Sequence, residues 1–187
     1  MGFERETGTP EVLCEVRDRV AKISFNRPEA KNALTMDMKE SLYCLVRDLE
    51  EDQDVGCFLL TGEGMAFSAG GDTKRMQREG KPPVMEDRHR QLRWEHELPR
   101  MLHQSSKPSI AALPGAAAGA ACSIALSCDL RVASEKAFII TSFARLGLSG
   151  DYGGTWFLTQ LVGPAKAREI YFTADRVDAA TCLELGI

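Results

Sequence analysis

A chain of 187 residues with 23 Lys and Arg against 27 Asp and Glu has a net charge of −4, which offers nucleic acid no general electrostatic attraction. Its 44% hydrophobic and 27% charged residues match an ordinary soluble globular protein, and no apolar run approaches the ~18 residues of a membrane span. A single domain over residues 1–187 is expected, large enough to bury a core without a metal or disulfide.

The opening Met1-Gly2-Phe3-Glu4-Arg5-Glu6 has neither a basic nor an apolar leader region, and Glu6 stands where a myristoylation signal needs a hydroxyl. A cytoplasmic protein is the expectation. The cysteines Cys14, Cys44, Cys57, Cys122, Cys128 and Cys182 form no C-x-x-C pair and lie mostly in apolar runs, which predicts reduced, packed thiols.

In chain order, residues 12–16 and 20–25 alternate apolar and polar around Arg17-Asp18-Arg19, the pattern of a hairpin. Thr35 is a plausible N-cap, and Met38, Leu42, Leu45, Val46 and Leu49 recur at helical spacing to about residue 52. Residues 55–60 read as a strand of a largely parallel sheet covered by helices. The polar, Pro-containing stretch 77–90 reads as a mobile surface loop of the kind that sets specificity. A helix is expected over 88–106, kinked or divided by Pro99. Strands follow at 109–113, 129–133 and 137–141, with a short helix ending near Ser127. After a glycine-rich turn at 147–154, helices are expected at 155–162, 165–172 and 178–185, with Gly163 and Gly186 as stops.

Two segments stand out for their lack of bulk. Ala66-Phe67-Ser68-Ala69-Gly70-Gly71-Asp72 and Pro114-Gly115-Ala116-Ala117-Ala118-Gly119-Ala120-Ala121-Cys122 both read as turns after an apolar strand. Small residues let backbone N–H groups approach a ligand that a side chain would block, although tight helix-entry turns use the same residues.

These segments resemble the crotonase (enoyl-CoA hydratase/isomerase) superfamily, together with residues 23–34 (Ile23-Ser24-Phe25-Asn26-Arg27-Pro28 and onward), Cys128-Asp129, Asp151-Tyr152-Gly153-Gly154 and residues 173–180, all in family order. The resemblance implies an α/β fold, a spiral of ββα units with a mostly parallel buried sheet flanked by helices. It further implies a homotrimer or hexamer and a coenzyme A thioester substrate, with no other cofactor and no metal. Gly71 and Ala120 would then supply the two backbone N–H donors of an oxyanion hole. Coenzyme A contacts would fall on Ala30, Ala69, Gly71 and Thr73, with Arg27, Lys31 and Lys74 as candidate phosphate partners; as isolated residues, these cations read equally well as solvated surface charges.

Family hydratases carry two glutamates at positions that match Ser123 and Phe143 here, so both carboxylates are absent. A third position, used by isomerases and by a hydrolytic dehalogenase of the superfamily, is Asp151. By local sequence alone, an Asp in a Gly-Asp-Tyr-Gly-Gly run is a turn or N-cap residue; the resemblance makes it the general base. The expected activity is an enoyl-CoA isomerase, with Ser123, Phe143, Leu148 and Trp156 near the acyl group. Hydration or thioester hydrolysis through Asp151, and a silent acyl-CoA-binding or oligomer-scaffolding protein, are the alternatives. His89, His96 and His103 are seven apart but lack the convergence of a zinc site. Family members continue beyond a segment like residues 183–187 into a C-terminal helical region, so a truncated core is expected.

Overall fold

Strands β1 (Phe3–Arg5), β2 (Val12–Arg17) and β3 (Val20–Phe25) form an antiparallel meander in the computed structural model, which describes residues 2–72 and 84–187. Arg17 pairs directly with Val20, so the hairpin loop is the two residues Asp18 and Arg19, both at positive φ. Such a turn matches the right-handed twist of the strands it joins. Val12, Cys14 and Val16 face the core while the residues between them face outward, as the alternation predicts.

Three strand pairs follow: β4 (Cys57–Gly62) with β5 (Ala66–Ser68), β6 (Ser109–Leu113) with β7 (Ala116–Ala118), and β8 (Leu130–Ala133) with β9 (Phe138–Ile140). The first member of each pair joins a six-stranded sheet of order β1-β2-β3-β4-β6-β8, parallel from β3 onward. The second joins a four-stranded sheet, in which β5, β7 and β9 are parallel and β10 (Val177–Asp178) closes one edge antiparallel to β9. This repeated division of strands between two sheets is the expected spiral.

The helices are α1 (Met36–Glu51), α2 (Met85–Glu95), α3 (Glu97–Gln104), α4 (Ala120–Ser127), α5 (Gly154–Thr173) and α6 (Ala179–Leu185). Thr35 caps α1 by accepting from the Met38 amide at 3.1 Å, and the five predicted apolar positions of α1 are all buried. Burying one such leucine stabilises the fold by about 1.5–3 kcal/mol relative to exposure. Every residue of α4 is buried, so this short apolar helix lies in the middle of the core, packed on α3 and α5.

Four expectations are corrected. The small-residue segments are not turns throughout: each begins as a short strand, β5 or β7, and the turn follows. The loop expected at 77–90 gives way to helix α2 from Met85, and residues 77–83 lie outside the described residues. The helix expected from Arg88 divides at His96, not at Pro99. That division places Pro99 in the first turn of α3, where a missing N–H costs no helical hydrogen bond. Cys44 is exposed and Cys57 half-exposed, while Cys14, Cys122, Cys128 and Cys182 are the packed thiols. Gly163, at φ +76 and ψ 166, interrupts α5 where a helix stop was expected, and Asp178 caps α6 through the Thr181 amide. Among the described residues no helix is long and apolar enough to cross a membrane.

Candidate active site

The first turn is held by a buried asparagine. The Asn32 side chain donates to the carbonyls of Glu63 and Ala66, both at 2.9 Å, and accepts from the Arg27 amide at 2.8 Å. Its own carbonyl accepts from the Ser68 hydroxyl at 2.6 Å, and the same Ser68 Oγ accepts from the Gly70 amide at 3.1 Å. Two backbone bonds, Ala69 N to Lys31 O and Leu34 N to Gly70 O, complete the tie between the 28–34 loop and the end of β5. Gly71 follows with open space on its Cβ side.

The second turn is brought against the first by parallel pairing of β5 with β7. An ideal Cβ on Gly70 would lie 2.5 Å from Ala118 O and 3.4 Å from Ala120 N, which measures how closely the two backbones approach. Gly119, at φ +51, then turns the chain into α4. Among the described residues neither the Gly71 nor the Ala120 amide has an acceptor; the Ala120 amide is the first of α4, a state expected of a helix's first N–H groups.

Asp151 lies on the loop between a single helical turn, Ala144–Leu146, and α5, and this loop is tied to α4. Ser123 Oγ, buried in α4, donates to the Asp151 carbonyl at 3.1 Å, and with the Tyr171 hydroxyl it crowds Gly154. Asp151 Oδ1 is buried without a hydrogen-bond partner among the described residues. Burial foremost, then the nearby negative charge of Glu95, pushes the Asp151 carboxyl up to about 6, with Lys39 opposing.

Next to it, Tyr152 is 2% exposed and at φ +54. Its hydroxyl donates to Glu95 Oε2 at 2.8 Å, and Glu95 Oε1 receives Lys39 Nζ at 2.9 Å and Gln91 Nε2 at 2.8 Å. Glu95 is itself only 7% exposed. Neither Glu95 nor Asn32 was anticipated from the sequence. A signal existed for Glu95: it occupies the apolar stripe that runs through Leu92, Leu98 and Leu102, where a carboxylate needs partners.

The other expected site residues are placed unevenly. Phe143 is buried, stacks on Tyr171 and lies beside Gly119, next to the second turn. Ser123 is buried and its hydroxyl is engaged as a tether, so it faces the Asp151 loop instead of open solvent. Leu148 is 39% exposed, and Trp156 packs edge-on against His103 and Phe157, which turns it to the α3 side. Ala30 is half-buried, Ala69 exposed, and Lys31 exposed at φ +52. Arg27 is paired with Glu11 at 3.1 Å and Asp72 at 3.5 Å and donates to Ala33 O, so its cation is committed within the protein. Thr73 and Lys74 lie outside the described residues.

The two-sheet ββα spiral thus brings two small-residue turns together, and Ser123 of the helix that follows the second turn tethers the loop bearing the desolvated Asp151. The chain belongs to the enoyl-CoA hydratase/isomerase family, which it matches over residues 15–187, within the crotonase superfamily. It is 35% identical over 177 residues to the short-chain-enoyl-CoA hydratase of Clostridium acetobutylicum, covering 94% of this chain and 66% of that protein. It is 32% identical over 176 residues to the 1,2-epoxyphenylacetyl-CoA isomerase of Escherichia coli, covering 94% and 67%. A Thermobifida fusca YX structure in complex with acetoacetyl-CoA superposes with a TM-score of 0.87 at 31% identity, over 97% of this chain and 75% of that one. The chain thus spans about two thirds of the length of these two curated relatives.

Proposed function

We propose that this chain binds an acyl-CoA thioester and shifts a carbon–carbon double bond with Asp151 as the single proton carrier. The observation that carries the reading is the Asp151 Oδ1 atom, buried and without a partner among the described residues, on a loop tethered to the helix whose first amide is Ala120. Family membership and the acetoacetyl-CoA complex of the Thermobifida fusca homologue support the thioester.

In this reading the thioester oxygen accepts from the Gly71 and Ala120 amides. The Asp151 carboxylate removes a proton from C2 of a 3-enoyl thioester, and the electron pair delocalises through the carbonyl into a dienolate. Each N–H donor to the oxyanion lowers the barrier by about 3–4 kcal/mol. The protonated Asp151 returns the same proton at C4, leaving the double bond at C2–C3. No water, electron or external proton is consumed. A base that titrates near 6 is poised for both halves of this transfer. Water addition would need a second group where Ser123 and Phe143 stand, and neither side chain can manage a proton that way. The homotrimeric or hexameric assembly is part of the same proposal.

The test is turnover of 3-enoyl-CoA thioesters by wild type and Asp151→Asn, with crotonyl-CoA assayed in parallel for loss of conjugation. Isomerisation that Asp151→Asn abolishes while coenzyme A thioester binding persists supports the reading. Undiminished turnover in Asp151→Asn, or hydration of crotonyl-CoA as the main reaction, overturns it.

A further inference from the structure

Glu95 is a carboxylate buried among apolar residues, and nothing in the proton transfer just described uses it. Its partners come from three different elements: Lys39 from α1, Gln91 from its own helix α2, and Tyr152 from the loop that carries Asp151. The Lys39 ammonium also lies 5.9 Å from the Tyr152 ring centroid, and the His96 ring stands edge-on to Tyr152 at 5.9 Å. The group borders a cavity of about 10 Å³ between Leu34, Leu98 and Ile124. A buried ion pair is a poor source of stability, because desolvation offsets most of the attraction, so its presence here calls for a role beyond packing.

Two facts tie the cluster to Asp151. Tyr152 is the next residue and holds a left-handed backbone conformation, strained for any side chain but glycine; its bond to Glu95 is what a rigid loop needs to keep that conformation. Second, Glu95 from α2 and Lys39 from α1, opposite in sign and paired at 2.9 Å, meet the chain at Tyr152, one residue from Asp151, and bias its carboxyl in opposite directions, Glu95 upward and Lys39 downward. Among the described residues the phenols of Tyr152 and Tyr171 and the His96 imidazole, edge-on to Tyr152, are the further titratable groups packed against this loop.

We propose that Glu95, clamped by Lys39 and Tyr152, is the positioning residue for Asp151: it pins the loop that bears the carboxylate and supplies the neighbouring charge against which that carboxylate takes up its proton. The proposal rests on Asp151 being the site's proton carrier. Glu95 touches no reacting atom; it acts through Tyr152 and through its field. Because its charge is balanced by Lys39, removing either partner should move Asp151 in a direction set by the one that remains.

The experiment reads Asp151 directly, without turnover. The full chain, labelled with ¹³C at aspartate Cγ, is titrated by NMR, and Asp151→Asn identifies the Asp151 signal. Glu95→Gln leaves Lys39 as the nearby charge and should lower the Asp151 midpoint by about one pH unit; Lys39→Met leaves Glu95 and should raise it by about as much. Opposite shifts, in variants whose amide spectra stay dispersed like wild type, support the proposal. Unmoved midpoints, or shifts of the same sign, overturn it. Tyr152→Phe provides a variant that keeps both charges: loss of the Asp151 signal's single sharp position supports the pinning role, and an unchanged signal overturns it. These outcomes are independent of the turnover assay, so a chain in which Asp151→Asn still isomerises would sink the proposed function while leaving the titration to be judged by itself.

Discussion

Gly70 sits against Ala118 so closely that an ideal Cβ on Gly70 would fall 2.5 Å from the Ala118 carbonyl oxygen. At φ +84 the residue is also in a region that side chains rarely adopt. Gly70→Ala is therefore expected to cost about 2–4 kcal/mol, from backbone strain and from forcing β5 and β7 apart. Thermal melting should show a fall of roughly 5–15 °C in Tm. Because the separated backbones carry the Gly71 and Ala120 amides proposed to hold the thioester oxygen, turnover should fall further than the unfolded fraction explains.

On the proposed role of Asp151 as proton carrier, Asp151→Asn should lower turnover by about 10²–10⁴-fold with little change in thioester affinity, measured by kcat against KM. In wild type the base form predominates above a pH of about 6, so kcat/KM should rise with pH through that value.

The same substitution has a consequence for stability. The Asp151 carboxyl is raised from 3.8 to about 6 on folding, so the native state holds its proton more tightly than the unfolded chain. Stability contributed by this group is present below about pH 4 and is lost as pH rises through 6. Asp151→Asn removes that loss. Denaturant unfolding at pH 8 should find the variant about 1–3 kcal/mol more stable than wild type, and the two should converge near pH 3.5.

Asn32→Ala removes three side-chain hydrogen bonds from a fully buried position and leaves the Glu63 and Ala66 carbonyls and the Arg27 amide without that partner. A cost of about 2–4 kcal/mol is expected, read by chemical denaturation. Asn32→Gly should recover only the part due to the residue's φ of +56.

Ser123→Glu is a test of whether the missing glutamate can simply be restored. Even a Cβ on Gly154 would collide with Ser123 Oγ and the Tyr171 hydroxyl, so no space exists at Ser123 for a further methylene and a carboxylate. The variant should be destabilised by about 1–3 kcal/mol through overpacking and should gain no hydratase activity toward crotonyl-CoA. A stable Ser123→Glu protein that hydrates crotonyl-CoA would contradict the tether role of Ser123.

Much of the site was legible in the chain because it is built from local signals. Small residues mark where a backbone must come close, Thr35 and Asp178 announce their helices, and Asp151 lies in a recognisable glycine-rich run. For Glu95 the chain showed a carboxylate on an apolar stripe but not what partners it. A carboxylate between Leu92 and Leu98 looks like an irregularity of an amphipathic helix until the distant Lys39 and Tyr152 are seen to partner it. Asn32 was hidden likewise, since an asparagine after a lysine in a loop gives no hint that it bridges to β5. Arg27 reads from the chain as a candidate phosphate partner or a surface charge, and its pairing with Glu11 and Asp72 is visible only in the fold.

By itself the sequence determined the strand and helix types, the two small-residue segments, the absent carboxylates at Ser123 and Phe143, and the present one at Asp151. Those properties depend on residue identity and near-neighbour spacing. Tertiary structure alone decided that the two segments meet, through the parallel pairing of β5 with β7 across some fifty residues of chain, and that Asp151 is desolvated beside Glu95. Proximity between distant segments and exclusion of water are collective results of packing the core around α4, and no local pattern encodes either one.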